Sequence, residues 1–179
     1  MSLEIDGREV KGLWKILLWL LLILLFFGLW PLILFFWIMI QGWKLYGVWL
    51  GKQFKKKWYP RKRVALFIYS NSPNWNDYIR ENIFPKIEKD IVCLNWSERN
   101  SWLKEDHLES KIFRHWGGLR EFNPLAIVFP PKGKINVIRF WQAFKDFKYG
   151  KDRLLRNAED EFFRAITEAK EKGGFDGRQ

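Results

Sequence analysis

The sequence predicts an α/β domain carried behind an N-terminal membrane segment, and three observations predict it. From Ile16 to Ile40, 25 consecutive residues carry no charge. From residue 64 onward, apolar runs of strand length alternate with segments of helical period. The last two of those runs are separated only by Pro130-Pro131-Lys132-Gly133-Lys134. That turn has no room for a crossover helix, so the two strands must pair antiparallel.

The apolar run comes first. A spanning helix needs about 20 residues to cross roughly 30 Å of hydrocarbon. A secretory signal has a shorter apolar core, about 7–15 residues, followed by a small-residue cleavage site that is missing here. Trp14, Trp19, Trp43 and Trp49 lie near the ends of the run, where interfacial aromatics belong, whereas Trp30 and Trp37 lie inside it. Gly28-Leu29-Trp30-Pro31 interrupts the middle, and Pro31 removes a backbone donor. Two arrangements follow. One is a single kinked, tilted helix over Trp14–Ile40, continuing as an interfacial segment to Trp49. The other is a re-entrant hairpin with arms near 13–29 and 31–50. Trp14, Trp19, Pro31 and Trp43 are the anchor residues in either case.

Charge sets the expected orientation. Downstream of the run stand Lys44, Lys52, Lys55, Lys56, Lys57, Arg61, Lys62 and Arg63; upstream there are only Arg8, Lys11 and Lys15. The positive-inside rule puts the richer flank, and the domain behind it, in the cytoplasm. Lys55, Lys56, Lys57, Arg61, Lys62 and Arg63 are also expected to meet anionic lipid, at about 1 kcal/mol per basic residue near the surface. The organisation read along the chain is a flank over 1–13, a membrane segment over 14–50, a basic juxtamembrane linker over 51–63, the α/β domain over 64–172 and a flexible tail over 173–179.

Within the domain, Val64–Tyr69 (VALFIY) is a continuous apolar run, as in a strand buried on both faces. Ser72-Pro73 makes a good N-cap and first-turn pair. Trp75, Tyr78, Ile79, Ile83 and Ile87 then recur at helical spacing, with Pro85 expected to kink or shorten the helix. Asp90–Trp96 (DIVCLNW) reads as a second strand, and Ser97–Glu105 as loop or a short helical turn. Asp106 is placed to cap a helix carrying Leu108, Ile112 and Trp116, stopped by Gly117-Gly118. Leu125–Phe129 (LAIVF) is the third strand, entered through Asn123-Pro124. Ile135–Trp141 (INVIRFW) is the fourth, with Val137 and Phe140 of opposite parity, so its faces are not assigned. A linker near Lys145–Lys151 leads to Asp152, a candidate N-cap. Leu155, Ala158, Phe162, Ala165, Ile166 and Ala169 then form one apolar helical stripe, ended by Gly173-Gly174. The order is β-α-β-α-β-β-α.

Composition narrows the chemistry. The one cysteine, Cys93, rules out an intrachain disulfide and a cysteine zinc site; mid-strand between Val92 and Leu94, it is expected to be a buried, inert thiol. The two histidines, His107 and His115, are eight apart with no metal-ligand spacing. No metal and no cofactor are expected. The formal charge of +11 would suit nucleic acid, but residues 1–63 hold 11 Lys/Arg against 3 Asp/Glu and residues 64–179 hold 20 against 17. A near-neutral domain is not expected to bind nucleic acid. Its indoles, Trp58, Trp75, Trp96, Trp102, Trp116 and Trp141, are expected mainly as core and interface material. There is no nucleophile elbow, Walker loop or dinucleotide fingerprint.

The element order, the proline of Asn123-Pro124 directly before Leu125-Ala126-Ile127-Val128-Phe129, and the glycine-containing turn Lys132-Gly133-Lys134 before an antiparallel fourth strand together resemble the thioredoxin fold. The resemblance covers residues 64–171. It implies a ligand groove beside Asn123 and Pro124, where the backbone pairs with an extended peptide or a glutathione-type ligand. The redox members carry Cys-x-x-Cys at the junction of the first strand and first helix. Here the region reads Ser70-Asn71-Ser72-Pro73-Asn74-Trp75, so the thiol positions fall near Ser72 and Trp75, and disulfide exchange is not expected. Parallel first and second strands would set Ser70, Asn71 and Ser72 beside Asn95, Ser97 and Arg99, at the edge where open α/β sheets bind ligands. These groups either line a groove with Asn123 and Pro124 or simply complete caps and turns.

The expected function is that of a membrane-anchored, non-catalytic domain binding a partner protein or an extended thiol-type ligand at the cytoplasmic membrane face, with membrane lipid as a further partner. Two alternatives stand beside it: a membrane-proximal enzyme using the groove's polar residues, and a membrane-shaping hairpin protein.

Overall fold

The structure, a computed structural model, describes residues 7–102, 107–118 and 122–175. The expected helix cap at Asp106 and the last residues of the expected tail, 176–179, lie outside them. The chain divides into two compact units, Met1–Tyr46 and Gly47–Gln179.

The first unit consists of the long helix α1 (Gly7–Trp58) up to Tyr46. From Trp14 to Ile40 its large apolar side chains are exposed all round the helix; Trp30 and Phe27, for example, are 54% and 70% exposed. At 1.5 Å per residue the uncharged run rises about 37 Å, and the helix is long and apolar enough to cross a bilayer. The hairpin alternative is not found: the chain stays helical through Gly28 and Pro31. One proline removes one hydrogen bond, and the apolar turns on either side carry the helix past it.

The second unit begins with the last turns of α1, and here the expectation of a linker over 51–63 is corrected. Helix continues to Trp58 and a 3-10 turn follows over Tyr59–Arg61. Gly47, Leu50, Gly51 and Phe54 are buried while Val48, Trp49, Lys52 and Lys56 are exposed. Spacings of three and four put the buried set on one helical stripe. The lysines that made this stretch read as a linker stand on the outer side of an amphipathic helix.

Strands β1 (Ala65–Tyr69), β2 (Ile91–Asn95), β3 (Leu125–Val128) and β4 (Asn136–Arg139) form one sheet in the order β2-β1-β3-β4. β1 and β2 are parallel, and β3 runs antiparallel to both β1 and β4. Period-two alternation divides the core between two faces. Ala65, Phe67, Ala126, Val128 and Ile138 face one cluster, with Ile79, Ile83 and the stripe of α7 (Arg153–Gly173). Leu66, Ile68, Val92, Leu94, Leu125 and Ile127 face the other, with Leu50 and Phe54 of α1 and Ile112 and Phe113 of α5 (Leu108–Gly117). The result is helix, sheet, helix: a three-layer α/β unit.

Several elements differ from expectation. After β1, helix begins at Asn76, with Trp75 rather than Ser72 at the cap. It is built from α2 (Asn76–Tyr78), a π turn (Ile79–Ile83) and α3 (Phe84–Ile87). Pro85 sits in the first turn of α3, and its ring crowds the preceding turn, where the helix widens to the π form. After β2, the stretch over 97–105 holds a 3-10 turn (Trp96–Glu98) and α4 (Arg99–Trp102). β4 ends at Arg139, and an unexpected helix α6 (Trp141–Phe147) takes up the end of the predicted strand and part of the predicted linker. Phe140 has helical φ and ψ, so its parity with Val137 is broken by the turn out of the sheet. Asp152 does precede α7, but its carboxylate pairs with Arg156 instead of capping the backbone. Gly174 ends the helix at φ 66°. Phe175, expected to fray, packs edge-on against Tyr59 at 5.1 Å.

Candidate functional site

Register brings four chain segments to one edge of the sheet. Tyr69 pairs with Asn95, Ile68 with Leu125, and Leu125 with Arg139. The exits of β1, β2 and β4 and the entry of β3 therefore lie side by side. Of the eight predicted groove residues, the structure joins three across loops. The Asn71 backbone N–H donates to Ser97 Oγ at 2.9 Å, and Asn95 Nδ2 donates to Asn71 Oδ1 at 3.1 Å. Asn95 Nδ2 also donates to Glu98 at 2.8 Å, while its Oδ1 accepts the Ser97 backbone N–H at 3.1 Å.

Of the other five, Ser70, Ser72 and Arg99 engage near neighbours in the chain, and Asn123 and Pro124 lie apart from them. Ser70 Oγ accepts the Trp75 indole N–H at 3.2 Å. Ser72 Oγ lies 3.4 Å from the Asn74 backbone nitrogen and 3.3 Å from Asn74 Nδ2. The Arg99 guanidinium lies over the Trp96 ring at 5.6 Å. The Asn123-Pro124 peptide is cis, and Pro124 is buried, its carbonyl accepting the Phe140 N–H at 3.0 Å. Asn123 Oδ1 is buried and has no hydrogen-bond partner among the described residues.

Cys93 departs from expectation. It is exposed, on the edge strand β2. The surrounding chain still shields the sulfur from water, and Glu88 adds its charge. These outweigh Arg63 and push the thiol up to about 11.

Three of the six basic residues assigned to lipid are engaged within the domain. Lys55 Nζ donates to Pro131 O at 3.2 Å, Lys57 Nζ to Glu109 at 2.9 Å, and Arg63 to Ile91 O at 2.9 Å. Lys57, Arg61 and Arg63 also stand 5.0, 4.9 and 5.6 Å from the Trp58 ring. Lys56 and Lys62 are exposed. Of the domain's indoles, Trp58, Trp96 and Trp116 pack on the cluster shared by α1 and α5; the Trp102 side chain lies outside the description.

Sequence reasoning missed a cleft of about 260 Å³ at the same edge. Asn74 and Trp75 form one side. Trp141, Phe144, Lys145, Lys148 and Tyr149, in and just after α6, form the other. The signal is present: Trp141, Lys145 and Lys148 are spaced i, i+4, i+7, one face of a helix, but the apolar run through Trp141 reads as strand and the stretch from Lys145 as linker. The Tyr78 ring packs on Phe144, and its hydroxyl is pushed up to about 12, first by burial and then by its hydrogen bond to the buried Glu159. Among the described residues no group of three His, Cys, Asp or Glu is placed to hold a metal ion. Comparison of the chain with protein-family models, with curated proteins and with solved structures finds no match.

Proposed function

We propose that this chain is a membrane-anchored, thioredoxin-like binding domain without redox chemistry, held at the cytoplasmic face by α1. The observation that carries the reading is the state of the sheet edge. Where the resemblance calls for an attacking and a resolving thiol, the chain has Ser72 and Trp75, and the nearby hydroxyl and amide groups are hydrogen-bonded to one another. The sheet supports the resemblance in its element order, its proline at the entry to β3 and its antiparallel last pair. Cys93, on β2 with a raised pKa, is a poor nucleophile at neutral pH.

The ligand is a partner protein or an extended thiol-type molecule lying beside Asn123 and Pro124. Engagement of the edge groups in turns favours binding over catalysis, because a catalytic hydroxyl needs a base within hydrogen-bond reach. An unbroken α1 removes the premise of a membrane-shaping hairpin. The basic flank after the apolar run supports the cytoplasmic orientation.

The test is site-specific photocrosslinking of the full chain in native membranes. A photoreactive residue at Asn123 should capture a discrete partner band, and the same residue at exposed Glu161 on α7 should not. Equal capture from both positions, or none at Asn123, would count against the binding reading.

A further inference from the structure

We propose that the cleft between Trp75 and α6 binds a small planar organic anion, a flat ring system carrying a carboxylate or phosphate. The proposal stands on the lining of the cleft and does not depend on the reading above.

The lining selects the ligand. Trp75, Trp141 and Tyr149 offer ring surfaces, and buried Phe144 completes the aromatic lining. Flat π surfaces favour a flat apolar body. An aromatic box alone would also suit a cation, but two ammonium groups, Lys145 and Lys148, belong to this lining and no carboxylate does. Lys145 Nζ already stands 5.5 Å from the Trp141 ring. The nearest acid on the helix, Asp146, accepts a hydrogen bond from Gln142 at 2.9 Å. A cation would meet two like charges, whereas an anion gains charge-assisted hydrogen bonds. The volume, about 260 Å³, falls just below the range of about 300–1,000 Å³ typical of ligand sites, so the ligand is small.

The walls are also held in place in advance. The Trp75 indole N–H is tied to Ser70 Oγ. Trp141 stacks on Phe122, with ring centroids 4.5 Å apart and an interplanar angle of 22°. Phe144 is wedged against Trp75 at 6.2 Å and Tyr78 at 5.5 Å. Aromatic walls that are already immobile lose little conformational freedom when a ring enters.

The experiment uses the full chain in lipid nanodiscs, labelled with 5-fluorotryptophan, with the Trp75 and Trp141 signals assigned by Trp→Phe variants. Three probes of one shape are titrated: 2-naphthoate, 2-naphthalenemethanol and 2-naphthylmethylammonium. The naphthoate should shift both resonances saturably, and the ammonium should bind at least about tenfold more weakly. The double variant Lys145→Gln/Lys148→Gln should weaken naphthoate binding about tenfold, and Lys145→Arg/Lys148→Arg should restore it. Equal affinity for the three probes, unchanged naphthoate affinity in the Gln variant, or shifts confined to the indoles of residues 14–49 would each overturn the proposal.

Discussion

The Trp58 indole donates a 2.6 Å hydrogen bond to Glu109, a carboxylate that is itself 6% exposed. Lys57 Nζ lies 2.9 Å from the same oxygen. One acid on α5 thus receives the last turn of α1, and a segment that is basic in sequence is tied into the domain. Burial by itself raises the Glu109 carboxyl. The hydrogen bonds from Lys57, the backbone and Trp58, with the Lys57 charge, outweigh it and hold the group below 4.5.

That balance predicts an acid-labile contact. A depressed carboxyl pKa contributes stability that is present above the unfolded value, about 4.3 for Glu, and is lost as pH falls through the lower folded value. Denaturation of the full chain in nanodiscs, followed by domain tryptophan fluorescence, should show this loss below about pH 4.5. Glu109→Gln should remove that part of the pH dependence. Glu109→Ala should cost about 1–3 kcal/mol at pH 7 by leaving the indole N–H unsatisfied. An identical acid profile in the Gln variant would defeat this account.

Phe54 tests whether residues 51–58 belong to the core. Its ring is fully buried and stacks on Phe129 with centroids 4.1 Å apart. Phe54→Ala should destabilise the domain by about 3–5 kcal/mol. Val48→Ala, at an exposed position of the same helix, should change stability by less than about 0.5 kcal/mol. Chemical denaturation of the two variants side by side decides it; comparable losses would mean that the stripe does not face the core.

Gly47 and Gly42 make a second pair. A Cβ on Gly47 would stand 2.4 Å from His115 Nε2, whereas one on Gly42 meets nothing within 4 Å. Gly47→Ala must push the imidazole aside and should cost about 1–3 kcal/mol. Gly42→Ala should be neutral or stabilise the helix by about 0.5–1 kcal/mol, because alanine has the better helix propensity. The check is the thermal midpoint of each variant, and a stabilised Gly47→Ala would refute the close approach.

The Cys93 thiol should alkylate slowly despite its exposure. With a pKa near 11, the thiolate fraction at pH 7 is about one in ten thousand. The iodoacetamide rate, followed by intact mass, should rise nearly tenfold per pH unit from 7 to 10. A plateau below pH 8.5 would mean an activated thiol and would reopen redox chemistry at this site.

Much of the β framework was legible locally. β1 and β3 are apolar at every position and, apart from half-buried Tyr69, buried, because central strands of a covered sheet must be apolar on both faces. The Pro-Pro-Lys-Gly turn required the antiparallel pairing of β3 and β4 that register bears out. The uncharged run dictated an apolar segment of membrane-spanning length, though not whether it would be one helix through Pro31 or two arms bent there. α6 was illegible because Trp141, Phe144 and Lys145 serve strand and helix patterns equally well over so short a window. The cleft was lost with it.

By itself the sequence determined an N-terminal apolar segment of membrane-spanning length, the four strands, the amphipathic C-terminal helix and the lack of a thiol pair, since these depend on residue type and near-neighbour spacing. Only the tertiary structure decided that Gly47, Leu50 and Phe54 are core, that Lys57 answers Glu109, that Cys93 lies on an open edge and that Trp75 and Trp141 line one cleft. Each of those joins residues far apart along the chain. Burial and pairing at such distances follow from how layers pack, which no local periodicity encodes.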